Sequence, residues 1–315
     1  MSNVQQLAFV FPGQGSQKVG MLADLAGEPI VASTFSEASE ALGYDLWQTI
    51  QEGPQEKLNL TETTQPALLA SSVAMWRLWQ DRAGPTPAWL AGHSLGEWSA
   101  LVCGGVVDFV DAIRLVRSRG RYMQEAVPQG VGAMAAILGL DDTVVEEACQ
   151  QASSAEFIVA PVNYNSPGQL VIAGHLQAVE AAMEKCKDAG AKRAMPLPVS
   201  APFHTQLMKP AAERLATEIA ATEFRAPEIP IVHNVNALPE SSPEAIKSLM
   251  VEQIYSAVRW VECVSYLVSQ GVGTTLECGP GKVLCGLNKR IERSLSATNI
   301  DSESSLAASL SSIQS

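Results

Sequence analysis

The pentapeptide Gly92-His93-Ser94-Leu95-Gly96 sets a serine between two glycines at the spacing G-x-S-x-G. Where a strand feeds a helix, that spacing makes a sharp turn that exposes the serine hydroxyl. Gly92 and Gly96 lack Cβ atoms and so admit the close backbone approach such a turn demands. The helix that follows offers free N–H groups and a positive dipole end to an oxyanion formed beside Ser94. A serine hydroxyl is a weak nucleophile near neutral pH and needs a base within hydrogen-bond reach. The chain has four histidines. His93 adjoins the nucleophile on a tight turn whose neighbouring side chains diverge, and it reads as structural. His175, near a strand end, and His233, after the apolar run from Ile229 to Val232, read as surface or supporting residues. His204, in Ser200-Ala201-Pro202-Phe203-His204, follows a strand and precedes a helix where two units should meet, and clefts between units favour ligands. Position alone leaves open whether it is the base or a loop residue.

Other polar residues are ambiguous when taken singly. Glu97 suggests a third catalytic member, but a carboxylate in a first helical turn is expected to serve the cap or the dipole. Arg119, in Arg114-Leu115-Val116-Arg117-Ser118-Arg119, reads by itself as part of a solvated helix face. The loop Pro12-Gly13-Gln14-Gly15 either frees backbone donors or simply ends a strand. It is not a dinucleotide fingerprint, because Lys18 stands where the third glycine is required. The six cysteines show no C-x-x-C spacing, so reduced packing thiols and a cytoplasmic location are expected, with no metal site.

These residues must be held by elements that the apolar pattern predicts. Residues 7 to 11 form a buried strand opening into the Pro12 loop, and 88 to 92 form a second strand before the Ser94 turn. Helices are expected around 30 to 43, over 65 to 82 up to the Gly84-Pro85 break, and from Ser94 to about Cys103. This alternation predicts a large α/β-hydrolase-like unit with a parallel sheet. Strands over 132–140, 157–164, 169–174 and 192–198, with helices over 141–152 and 176–189, give the order βαββαβ. That order predicts a small inserted ferredoxin-like subdomain at 128–198. The large unit then comprises 1–127 and 199–300, with helices over 206–221, 243–256 and 260–270 and strands over 229–234 and 274–278. The serine-rich end from 301 to 315 is expected to be a flexible tail.

Composition narrows the partners. Hydrophobic residues are 47% and charged residues 17% of the 315, which suits a globular core. No apolar run is long enough to span a bilayer, and the start lacks a basic, then apolar, export signal. A net charge of −12 disfavours nucleic acid as a partner. Two local clusters of opposite sign, Lys185, Lys187, Lys192 and Arg193, and Lys282, Lys289, Arg290 and Arg293, could dock an acidic partner or be plain solvated faces.

The chain resembles the malonyl-CoA:acyl carrier protein transacylases of bacterial fatty acid synthesis over nearly its whole length. The resemblance is carried by Phe11-Pro12-Gly13-Gln14-Gly15-Ser16-Gln17, Thr64-Gln65-Pro66-Ala67, Gly92-His93-Ser94-Leu95-Gly96-Glu97, Arg119-Gly120-Arg121-Tyr122-Met123-Gln124, Asn163-Tyr164-Asn165-Ser166-Pro167-Gly168-Gln169, Pro202-Phe203-His204 and Glu277-Cys278-Gly279-Pro280-Gly281. It implies that Ser94 is acylated and that His204 is its base and then its acid. Gln14 and Leu95 would supply the oxyanion-hole N–H groups, and Arg119 would grip the malonyl carboxylate. The main-chain carbonyl of Gln253 would orient His204, and Phe203 would line the acyl pocket. Malonyl-CoA and an acyl carrier protein are the implied partners of a monomer. No cofactor is implied, since the coenzyme A thioester is a substrate. A serine hydrolase, either a thioesterase or a carboxylesterase, uses the same nucleophile and base and remains the alternative, and a noncatalytic carrier-binding scaffold would need one of them lost.

Overall fold

A computed structural model describes residues 6–199 and 201–314. Residues 1–5, Ser200 and Ser315, which fall in the expected large unit, the histidine loop and the tail, lie outside the described residues. Two sheets organise the chain. The first is five-stranded in the order β7-β2-β1-β8-β9. Its members are β1 (Gln6–Phe11), β2 (Trp89–Gly92), β7 (Ile231–Val232), β8 (Val272–Cys278) and β9 (Ser296–Ile300). Every pairing in it is parallel, with Phe11 opposite Gly92. Alternation along β1 sends Phe9 and Phe11 to one helical layer and Ala8 and Val10 to the other, as a sheet covered on both faces requires.

The second sheet joins β3 (Gly132–Leu138), β4 (Val159–Ser166), β5 (Gln169–His175) and β6 (Arg193–Pro196) in the order β4-β5-β3-β6, all antiparallel. Helices Asp142–Ala152 and Leu176–Asp188 close one face over Ala135, Ile137, Leu170 and Ile172. The other face, with Met134, Val171 and Ala173, packs into the main core of the large sheet. Backbone bonds from Tyr164 N–H to the Val258 carbonyl and from Val258 N–H to the Val162 carbonyl tie β4 to the segment after helix Pro243–Glu252.

Three expectations need correction. The strand expected over 229–234 has only two residues, because Pro230 offers no N–H and His233 leaves the sheet edge for a buried contact with Glu97. The helix expected over 243–256 ends at Glu252, and the turn beyond it carries Gln253 to the site. The expected flexible tail, 301–315, instead holds the helix Glu303–Gln314, and β9, a strand that the apolar pattern does not predict, leads into it. Its first serines cap that helix: the Ser302 hydroxyl accepts the N–H of Ser305. Leu306, Leu310 and Ile313 pack on the main core at helical spacing, and Glu303 pairs with Arg82 at 2.7 Å. All six cysteines are free and buried, and burial raises their thiol pKa values.

The Ser94 turn depends on the two flanking glycines. A Cβ on Gly92 would sit 2.0 Å from the Gly96 backbone, and one on Gly96 would sit 2.0 Å from the Phe11 carbonyl oxygen. Backbone cannot yield as a flexible side chain can. Gly96→Ala is therefore expected to lose at least about 1 to 3 kcal/mol of stability in denaturant unfolding. Gly286→Ala, inside helix Val283–Ile291 with nothing within 4 Å, should instead gain about 0.5 to 1 kcal/mol.

Candidate active site

Ser94 stands between β2 and helix Leu95–Cys103 with φ 52° and ψ −108°. A non-glycine residue at positive φ is strained, and such strain concentrates at functional turns. His204 is the second such residue of the site, at φ 63° in the turn after β6. Both strained turns point into one cleft: Ser94 Oγ lies 2.8 Å from His204 Nε2, and His204 Nδ1 lies 2.8 Å from the Gln253 carbonyl oxygen. A carbonyl can only accept, so Nδ1 carries the proton and Nε2 is free to accept from the serine hydroxyl. Gln253 follows the last turn of helix Pro243–Glu252. Main-chain carbonyls at a helix end lack intrahelical donors, and the negative dipole end favours positive charge on the imidazole.

Arg119 is not on a solvated face. It is 2% exposed, on the buried stripe of helix Phe109–Glu125. Its Nη1 donates to Gln65 Oε1 at 2.9 Å, while Nη2 donates to Gln253 Oε1 at 3.0 Å and reaches Ser94 Oγ at 3.3 Å. No described carboxylate pairs with it at salt-bridge distance, and its Nε has no partner. Burial draws its pKa down to about 10, with the Glu97 charge opposing that shift. The guanidinium therefore stays cationic at neutral pH. For His204, burial and then the Arg119 charge lower the pKa to about 3, against the hydrogen bond to Gln253.

Gln14, His93, Ser94, Leu95, Arg119, Phe203 and His204 line a cavity of about 120 Å³, closed on its apolar side by Met123, Met134, Leu197 and Val199. Both sheets contribute to it, as expected for the His204 loop. Leu95 opens its helix, so its N–H has no intrahelical acceptor by position. Phe203 is 8% exposed. A larger cavity of about 370 Å³, lined by Phe35 and Trp47 beside helix Pro29–Leu42, contains none of these residues. Among the described residues there is no group of three or more potential metal ligands, and no helix is long and apolar enough to cross a membrane.

Several site residues escaped the sequence reading. Gln65 lay within a matched motif without a role. Asn234 takes the Ser94 N–H on Oδ1 at 2.8 Å and donates from Nδ2 to the Gly92 carbonyl at 2.7 Å, bracing both arms of the turn. His93 Nε2 meets Asn165 Oδ1 at 2.7 Å, linking the Ser94 turn to β4. Glu97, expected at a cap or dipole, stands in the first turn of its helix and is bonded to other segments. Its carboxylate accepts from His233 Nδ1 at 2.7 Å, from the Asn234 N–H at 3.1 Å and from Gln253 Nε2 at 2.6 Å. His233, expected at the surface or in support, is fully buried.

The cleft thus gathers a strained serine, a buried histidine and an arginine without a carboxylate partner among the described residues, and the family described as acyl transferase domain matches residues 8–308, so the chain belongs to that family. Within it, the chain is 58% identical over 306 residues to the malonyl CoA-acyl carrier protein transacylase of Escherichia coli strain K12, covering 97% of this chain and 99% of that one. An acyl carrier protein S-malonyltransferase from Vibrio cholerae is 57% identical, with a TM-score of 0.95 over 96% of this chain and 99% of that one. A malonyl-transacylase solved in complex with a type II PKS acyl-carrier protein is 56% identical, with a TM-score of 0.96 over 98% and 99%.

The depressed His204 pKa has a consequence for stability. Between its ordinary value of 6.5 and about 3, the unfolded chain binds a proton that the folded protein refuses. This contribution to stability is present in full above pH 6.5 and is lost progressively as the pH falls toward 3. Denaturant midpoints measured from pH 7.5 to pH 4.5 should fall, and should fall less steeply in His204→Gln.

Proposed function

We propose that this protein transfers the malonyl group of malonyl-CoA to the phosphopantetheine thiol of an acyl carrier protein, by way of an acyl-enzyme on Ser94. The observation that carries the reading is Arg119, a buried cation with no carboxylate partner among the described residues, whose Nη2 lies 3.3 Å from Ser94 Oγ. A guanidinium fork pairs bidentately with a carboxylate, so the desolvated cleft favours an acyl group ending in an anion.

His204 Nε2 takes the proton of Ser94 as Oγ attacks the thioester carbonyl carbon. The N–H groups of Leu95 and Gln14 stabilise the oxyanion of the tetrahedral intermediate. The C–S bond then breaks, and the imidazolium returns its proton to the departing coenzyme A sulfur. In the second half, His204 takes the proton of the carrier thiol, whose sulfur attacks the malonyl ester, and Ser94 leaves with the proton restored. The Gln253 carbonyl holds the imidazole through both halves, a dyad supported by the backbone in place of a carboxylate. A malonyl carboxylate on Arg119 also offsets the charge that adds to burial in depressing His204, so the base strengthens when the right substrate is bound.

We assign residues 1–127 and 199–300 to an α/β-hydrolase-like unit and 128–198 to a ferredoxin-like one, with the site between them. The cytoplasm and fatty acid synthesis are the setting we propose, with the protein acting as a monomer and without a cofactor. The two basic clusters, around Lys192 and Arg193 and around Lys289 and Arg290, are the proposed landing surface for the acidic carrier.

Intact-protein mass after mixing with malonyl-CoA should show a malonyl adduct that Ser94→Ala abolishes. Arg119→Ala should lose malonyl transfer while its relative activity on acetyl-CoA rises; equal losses on both would reduce Arg119 to a fold support. Rapid loss of the adduct to water, with no transfer to a carrier thiol, would favour the hydrolase reading.

Phe203 narrows the acyl pocket, and an added methyl would force off-rotamer strain there. The malonyl-over-methylmalonyl preference in kcat/KM should therefore narrow in Phe203→Ser by a factor within the range of about 10 to 200 that one methylene commands. An unchanged ratio would leave Phe203 a packing residue.

A further inference from the structure

The Glu97 carboxylate takes no part in the reaction proposed above, yet it is fully buried only three residues past the nucleophile. Placing a carboxylate there is costly unless donors replace its hydration. Each of its three donors reaches it from a segment more than a hundred residues away: His233 Nδ1, the Asn234 N–H and Gln253 Nε2.

Two of those donors lead directly to the reacting atoms. Asn234, fixed by its N–H to Glu97, grips the Ser94 N–H and the Gly92 carbonyl. Gln253 is the more constrained. Its main-chain carbonyl accepts from His204 Nδ1, and its side-chain Oε1 accepts from Arg119 Nη2 at 3.0 Å. Its Nε2 donates to Glu97 at 2.6 Å and to the Ser94 carbonyl at 3.0 Å. An amide has one end that only accepts and one that only donates. With Nε2 held by an anion, Oε1 must face the guanidinium; turned over, the amide would set donor against donor and acceptor against acceptor.

We infer that Glu97 is a positioning residue for the transfer: acting through the Gln253 amide, its carboxylate holds the Arg119 fork beside Ser94 and the Gln253 carbonyl against His204. Arg119 and Glu97 are thus joined only through a neutral amide. One cationic edge is left for the substrate, because Glu97 never touches the guanidinium. This inference rests on the malonyl reading of the site.

Two substitutions separate positioning from plain support of the fold. In Glu97→Gln, the new oxygen can accept from the Asn234 N–H and Gln253 Nε2, while the new NH2 donates to His233 Nδ1. His233 can then move its proton to Nε2, which has no partner at present. That variant keeps the hydrogen-bond pattern and loses the charge. Glu97→Leu loses both and frees the Gln253 amide to turn. The rate of Ser94 acylation by malonyl-CoA and by acetyl-CoA, read by intact mass, should show the malonyl-over-acetyl ratio of Glu97→Leu falling at least about tenfold, with Glu97→Gln within about threefold of the unmodified protein. A folded Glu97→Leu with an unchanged ratio would overturn the proposal. Equal losses in both variants would do the same, since the effect would then come from charge and not from position. Should Glu97→Leu fail to fold, Gln253→Met deletes the amide bridge and keeps the main-chain carbonyl. It too must lower the ratio about tenfold, and an unchanged ratio overturns the bridge. Failure of the unmodified protein to take up a malonyl group would refute the proposed function instead, and the two failures are told apart by that control.

Discussion

Everything at this site follows from the burial of two opposite charges that do not touch. Arg119 and Glu97 lie within the core of one protein, 2% and 0% exposed, with the side chain of Gln253 between them. In a low-dielectric interior an unsatisfied charge is far more expensive than a lost hydrogen bond, so the surrounding residues are selected for what they can donate or accept. Gln65 accepts from the cation, and Asn234 and His233 donate to the anion. Apolar residues of similar volume would pack as well and would leave the Ser94 turn without its braces.

Strain is the second ingredient. Ser94 and His204 both sit at positive φ, and each is over-determined by hydrogen bonds on either side. The 2.0 Å approaches that Gly92 and Gly96 permit bring β1, β2 and the following helix closer than any side chain would allow. The Ser94 hydroxyl is therefore presented by fixed backbone geometry, the preorganisation that the proposed transfer relies on.

What the sequence revealed divides along physical lines. The Ser94 turn was legible because sterics write it locally, in two glycines four residues apart. The order βαββαβ was legible because helix and strand periodicities differ. Glu97 does stand in the first turn of its helix, but the donors that its carboxylate accepts from lie 136, 137 and 156 residues away, beyond the reach of local rules. Arg119 took its role from the family resemblance, although helical spacing already sets it on the apolar stripe with Leu115, Val116, Tyr122 and Met123, where Arg114 and Arg117 do not fall. The serine-rich end looked featureless because its capping hydroxyls resemble a solvated linker, although Leu306, Leu310 and Ile313 keep helical spacing.

The small sheet offers one more consequence. One of its faces is covered by its own two helices, while Met134, Val171 and Ala173 on the other belong to the same apolar cluster as Phe9 and Phe11. It is inserted in the chain but not self-contained in its packing. Recombination between homologous acyltransferases at residues 128 and 198 would thus transplant the roof of the host's core along with the insert. Chimaeras should tolerate crossovers only where the host supplies matching volumes beneath those three side chains, and lineages are expected to exchange the two parts together more readily than apart.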